Sequence, residues 1–154
     1  MRRTRVLAAL AACFLAGAAV IAADANMGSW KLNEAKSKIS AGAPKNTMVV
    51  YEMAGDNIKV TVTGVDGDGK PAKNEWTGKF DGKDYALKGD PANDMRAYTR
   101  VDDHTLTLTQ KKDGKVTTTG KIVVSADGKT RTVTTSGTNA KGEKISTTAV
   151  YDKQ

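Results

Sequence analysis

The chain of 154 residues holds one histidine and one cysteine, which narrows its chemistry at once. His104 lies in Asp102-Asp103-His104-Thr105, where an imidazole beside a carboxylate could form an oriented general base. The same four residues also read as an exposed turn between strands. Cys13 sits in the leading apolar run and is lost if that run is removed. No thiol nucleophile and no Cys/His set for zinc then remains. Ser-His-Asp and Cys-His catalysis are not supported, because nothing in the sequence resembles a strained nucleophile turn. Glu52 and Glu75 could serve as paired carboxylates only if two strands bring them together in space. Asp66-x-Asp68-Gly69 begins like a calcium loop. However, Lys70 and Pro71 occupy the next positions and Glu75 comes too early to close an EF-hand, so the segment reads as a hairpin turn. The expectation is a non-enzymatic protein with no cofactor and no metal.

Binding is the remaining chemistry, and the aromatic residues are its candidates. Trp30, Tyr51, Trp76, Phe80, Tyr85, Tyr98 and Tyr151 are spread along the chain. Of these, Trp30, Tyr51, Trp76, Tyr98 and Tyr151 are the candidate ligand-lining residues. Several alternating positions carry small side chains: Gly78, Ala97, Thr118, Gly120, Thr147 and Ala149. If they face inwards, the interior is underfilled and could hold a ligand; a plain packed core is the other reading. Thr-x-Thr patterns recur at Thr61/Thr63, Thr105/Thr107/Thr109 and Thr132/Thr134. Regular threonine arrays can order water at an ice surface, but these are interrupted. The reading sets the Thr-rich strands apart, as ordinary outward-facing positions.

The N-terminus reads as an export signal. Met1-Arg2-Arg3-Thr4-Arg5 is basic, Val6 to Ala23 is apolar, and Ala23-Asp24-Ala25 gives a small-x-small cleavage pattern. Residues 1–25 are assigned to a signal peptide cut after Ala25, with Ala23 as the second choice. Residues 26–154 form a single domain. Leu10-Ala11-Ala12-Cys13 resembles a lipobox, but the apolar run continues through Ile21, so a lipoprotein is the minor alternative. The exported chain would be periplasmic or secreted, without disulfides and without a further segment able to span a bilayer as a helix. Its net charge falls from +7 to about +5 on processing. The lysines are dispersed among turns and strand faces. That pattern suits solubility and edge protection and gives no clustered basic face for nucleic acid.

These residues are positioned by a succession of strands. Asp-Gly-Lys occurs at 68–70, 81–83, 113–115 and 127–129, and Asp-Gly is a strong hairpin signal because tight turns need the positive φ that glycine supplies. Between the turns, apolar residues alternate with Thr and Lys. Ile58, Val60 and Val62 oppose Lys59, Thr61 and Thr63; Leu106 and Leu108 oppose Thr105, Thr107 and Thr109. Period two means one buried face and one wet face. The expected fold is all-β: an antiparallel up-and-down meander of eight to ten strands that closes into a barrel, since closure removes exposed edges. A short first strand at Met27–Leu32 is followed by an irregular stretch from Asn33 to Asn46. A second loop spans Gly89 to Asp94.

Gly28-Ser29-Trp30 before such a meander resembles the Gly-x-Trp opening of the lipocalin and fatty-acid-binding-protein superfamily, the calycins. That resemblance implies that Trp30 plugs one end of the barrel and that Arg131 packs across it. Asp84-Tyr85 resembles the lipocalin Thr-Asp-Tyr motif with Lys83 in place of Thr. Ala149-Val150-Tyr151 resembles the Arg-x-Tyr that grips a carboxylate in fatty-acid-binding proteins, with Ala149 in place of Arg. Trp30-Lys31-Leu32-Asn33, Gly137–Gly142 and Val150–Lys153 are also similar to a group of small exported bacterial proteins of unassigned function. The expected function is binding of a small apolar or amphipathic molecule in the barrel interior. The alternative is an envelope protein-interaction or inhibitor protein with a solid core, whose protein partner the sequence does not name.

Overall fold

Asp113-Gly114 shows how the chain turns. Both residues have positive φ, 50° and 78°, as the two-residue hairpin matched to strand twist requires. It joins β7 (Thr105–Lys112) to β8 (Lys115–Val124). In the other three Asp-Gly-Lys segments Gly69, Gly82 and Gly128 also have positive φ. The computed structural model describes residues 24–154. The basic and apolar leader and Cys13 lie outside the described residues.

The remaining strands are β1 (Gly28–Ile39), β2 (Lys45–Ala54), β3 (Asn57–Val65), β4 (Pro71–Gly78), β5 (Tyr85–Lys88), β6 (Met95–Asp102), β9 (Thr130–Thr138) and β10 (Lys144–Lys153). Each pairs antiparallel with its sequence neighbours, and β1 pairs with β10 to close a ten-stranded barrel. The expected all-β, up-and-down closed meander is the observed fold. No helix among the described residues is long and apolar enough to cross a membrane.

One expectation is corrected. The first strand does not stop at Leu32 but runs to Ile39, and the irregular stretch shrinks to the turn before Lys45. The cause is a bulge: Asn33 pairs with Val150, and pairing resumes only at Lys38 with Thr148. Ser37 holds the bulge, its hydroxyl donating to the Asn33 carbonyl (2.7 Å) and accepting from Val150 N–H (2.9 Å). A bulge disrupts side-chain alternation, which is why the segment reads as loop. The strands that carry the Thr-x-Thr patterns, β3, β7 and β9, are not neighbours, as expected; register nonetheless brings hydroxyls into rows through β8 and β10. Thr109, Thr119, Ser136 and Ser146 lie in one row across β7, β8, β9 and β10, and Thr107, Lys121, Thr134 and Thr148 in the next.

An up-and-down barrel places alternate connections at opposite ends. One end carries the turns at 55–56, 79–84, 103–104 and 125–129 together with both termini. The other carries the loops at 40–44, 66–70, 89–94, 113–114 and 139–143. The first end is sealed. Trp30 is fully buried, and its indole N–H donates to the Asn26 carbonyl at 2.9 Å. Asn26 is itself fully buried. Asp24 holds this arm in place by accepting from Asn26 N–H (2.9 Å) and pairing with Arg100.

A candidate ligand cavity

The aromatic residues divide between a packed cluster and a cavity wall. Trp76 stands edge-on to Tyr98 (4.8 Å between ring centroids) and Tyr85 (5.6 Å), and it stacks on Phe80 (6.3 Å). Its indole N–H donates to the Arg96 carbonyl at 2.8 Å, so a buried polar atom is satisfied. Gly78 makes this packing possible: a Cβ there would come within 2.5 Å of the Tyr85 ring. Trp30 and Trp76 therefore belong to the solid part of the core and do not line the cavity.

Tyr51, Tyr98 and Tyr151 do line it. The cavity holds about 250 Å³, and its rim is formed by the 40–44, 66–70, 89–94 and 139–143 loops. It therefore opens at the end away from Trp30. Of the small residues singled out from the sequence, Thr118, Thr147 and Ala149 are in its wall. Gly120 lies in phase with Thr118 and Ile122 on β8, whereas Ala97 takes the face opposite Arg96 and Tyr98. The interior is thus packed at one end and open at the other.

Two arginines that sequence reasoning did not place in a site reach this space. Arg131 on β9 is only 2% exposed. Its Cζ lies 5.0 Å from the centroids of both Tyr51 and Tyr151 and 5.5 Å from that of Trp30. The resemblance to lipocalins implied that packing of Arg131 over Trp30. Yet Arg131 Nε and Nη1 are buried without a hydrogen-bond partner. Arg96 on β6 is 5% exposed. Its Nε and Nη2 donate to Gln110 Oε1 (3.2 and 3.0 Å) and its Nη1 to the Tyr98 hydroxyl (3.4 Å). Neither guanidinium has a carboxylate partner among the described residues. Burial pushes the Tyr51 hydroxyl well above the ordinary tyrosine range and raises that of Tyr151, with Arg131 pulling the other way in both. Both tyrosines are therefore neutral donors at neutral pH and leave the arginine charge uncancelled.

The other chemical candidates are occupied elsewhere. Asp102 accepts the backbone N–H of His104 (2.9 Å), not its ring. Asp66 Oδ1 accepts from the backbone N–H groups of Asp68 and Lys70 (both 2.9 Å), so its carboxylate shapes the turn. Glu75 pairs with Lys73 (3.2 Å) and Lys59 (3.7 Å), and neither it nor Glu52 lines the cavity.

No family model matches the chain, and no curated protein matches it. Among solved structures, a redesigned β-barrel, mFAP1, bound to DFHBI is similar. The match has 15% identity and a TM-score of 0.46, and covers 84% of this chain and 95% of that one.

Proposed function

We propose that this is an exported, non-enzymatic barrel that binds a small amphipathic acid in its interior. The observation that carries the reading is Arg131: a buried guanidinium with unpartnered N–H groups beside a cavity open at one end. A buried charge without a partner costs several kcal/mol, and an unpartnered buried group calls for an explanation, here an occupant of the cavity that Arg131 lines. Cation–π contact with three rings offsets part of that cost, at about 0.5–2 kcal/mol each. An anionic group would supply the missing hydrogen bonds. Val49, Val62, Leu108, Ile122 and Val133 provide an apolar wall for the rest of the molecule. The cavity argues against the alternative of an interaction protein with a solid core.

Thermal melts of the purified chain in rising octanoate test this. The expected result is a saturable rise in Tm that Arg131→Met abolishes. A melt that stays flat across short, medium and long monocarboxylates overturns it.

A further inference from the structure

The walls of β7 to β10 change character in register order. Next to the sealed end, Val124, Arg131 and Tyr151 are paired across β8, β9 and β10. The next inward row is Leu106, Ile122, Val133 and Ala149, wholly apolar. Above it come Leu108, Gly120, Thr135 and Thr147, and then Gln110 beside Thr118. Successive inward rows are two residues apart, about 6.6 Å along a strand. Thus the side chains change from guanidinium and tyrosine to aliphatic and then to hydroxyl and amide over three steps.

The Thr118, Thr135 and Thr147 hydroxyls make no hydrogen bond among the described residues, although all three line the cavity. Thr135 and Thr147 face each other directly across β9 and β10, close enough to act on one group. An alkyl tail running from Arg131 towards the mouth would lie against these hydroxyls and strip them of water without replacing it. A polar group at that height would be hydrogen-bonded instead. Size points the same way. About 250 Å³ lies just below the range of roughly 300–1,000 Å³ typical of small-molecule pockets.

Resting on the acid-binding reading above, we propose that the ligand is a compact acid polar at both ends. Its anionic group meets Arg131, a short apolar segment crosses the Ile122–Val133–Ala149 row, and a second hydrogen-bonding group meets the Thr118–Thr135–Thr147 belt. The threonines are specificity-determining residues that select against long unsubstituted chains.

Three probes separate the claims: octanoate, ω-hydroxyoctanoate and palmitate, each measured by calorimetry on the intact protein. The expected order is ω-hydroxyoctanoate tightest, by roughly threefold to tenfold over octanoate, as one added hydrogen bond gives, with palmitate weakest. The near-isosteric Thr135→Val/Thr147→Val pair is expected to remove that preference from both sides, weakening ω-hydroxyoctanoate and tightening octanoate, whose tail no longer strips hydroxyls of water. Octanoate or palmitate binding as tightly as ω-hydroxyoctanoate overturns this inference and leaves acid binding standing. A preference that survives in the double variant overturns the role of the belt. Failure of all three acids overturns both readings.

Discussion

The two ends of the barrel serve opposite purposes. At the sealed end both tryptophans find partners: Trp30 and Trp76 are buried and their indole N–H groups are bonded. At the open end β8, β9 and β10 present Thr118, Thr135 and Thr147 to a cavity. One end is closed by aromatic packing, and the other opens hydroxyls to the cavity. Stability and recognition are thus separated along the strand direction, and substitutions at the two ends should report on different properties.

The largest contrast is in folding free energy. Trp76→Ala removes a ring packed against three others and is expected to cost about 3–5 kcal/mol. Thr147→Val, in the cavity wall, is expected to change stability by less than about 0.5 kcal/mol. Equilibrium urea unfolding measures both. Comparable losses would show that the open end is packed as tightly as the sealed one.

Arg131 sits where the two regions meet, and its removal should separate them. Arg131→Met takes away a buried charge without a counter-ion while keeping much of the side chain's volume. The apo protein is expected to become more stable by about 1–2 kcal/mol, because desolvation of the charge outweighs the lost ring contacts. Acid binding should disappear in the same variant. A destabilised variant would mean that the guanidinium is structural, held by its aromatic box alone.

The scaffold was legible in the sequence because its signals are local. Asp-Gly turns and period-two alternation each involve a few adjacent residues, and the observed strands follow them from β2 onward. The bulge at Asn33–Lys38 was not legible, since it depends on pairing with β10, more than a hundred residues away. The site was half legible. Tyr51, Tyr98 and Tyr151 could be named because aromatic residues in phase with a buried face point inwards. Arg96 is in the same phase as Tyr98, and Arg131 as Val133, so the alternation itself carried the signal. A charged residue on the inward face reads as an exposed one until the neighbouring rows are known. The rows in which hydroxyls meet were not legible for a related reason: a meander fixes neighbours, but register fixes which side chains share a row.

A smaller effect is expected at the N-terminal arm. Chains beginning at Asp24 and at Asn26 correspond to the two cleavage positions considered. The shorter chain loses the pair with Arg100 and the acceptor for Asn26 N–H. It also places an α-ammonium on a residue with no solvent exposure, so the arm must swing out to hydrate that charge. A loss of about 1 kcal/mol, or about 4 °C in Tm, is expected for a domain of this size. Octanoate affinity should be unchanged, because the arm seals the end away from the cavity. Equal melting temperatures would show that Trp30 alone closes the barrel.

The smallest difference concerns acid. Near the sealed end, backbone N–H groups of Lys83 and His104 hold the Asp81 and Asp102 carboxyls below the usual range, and the Ser125 hydroxyl does the same for Asp127. At the open end, Lys141 does so for Asp68 from 2.6 Å. Each folded pKa lies below its unfolded value near 3.9. The associated stability is therefore fully present above about pH 5 and is lost as pH falls through the folded values. The two ends differ in how salt should act. An exposed ion pair is screened as the Debye length contracts to about 3 Å at 1 M, whereas an N–H donor within a tight turn is not displaced by ionic strength. Carboxyl titrations followed by NMR at low and high salt should show Asp68 returning towards its ordinary value while Asp81 and Asp102 stay depressed. If all of them move together, the sealed-end turns owe their depressed carboxyls to the excess of lysines rather than to turn geometry.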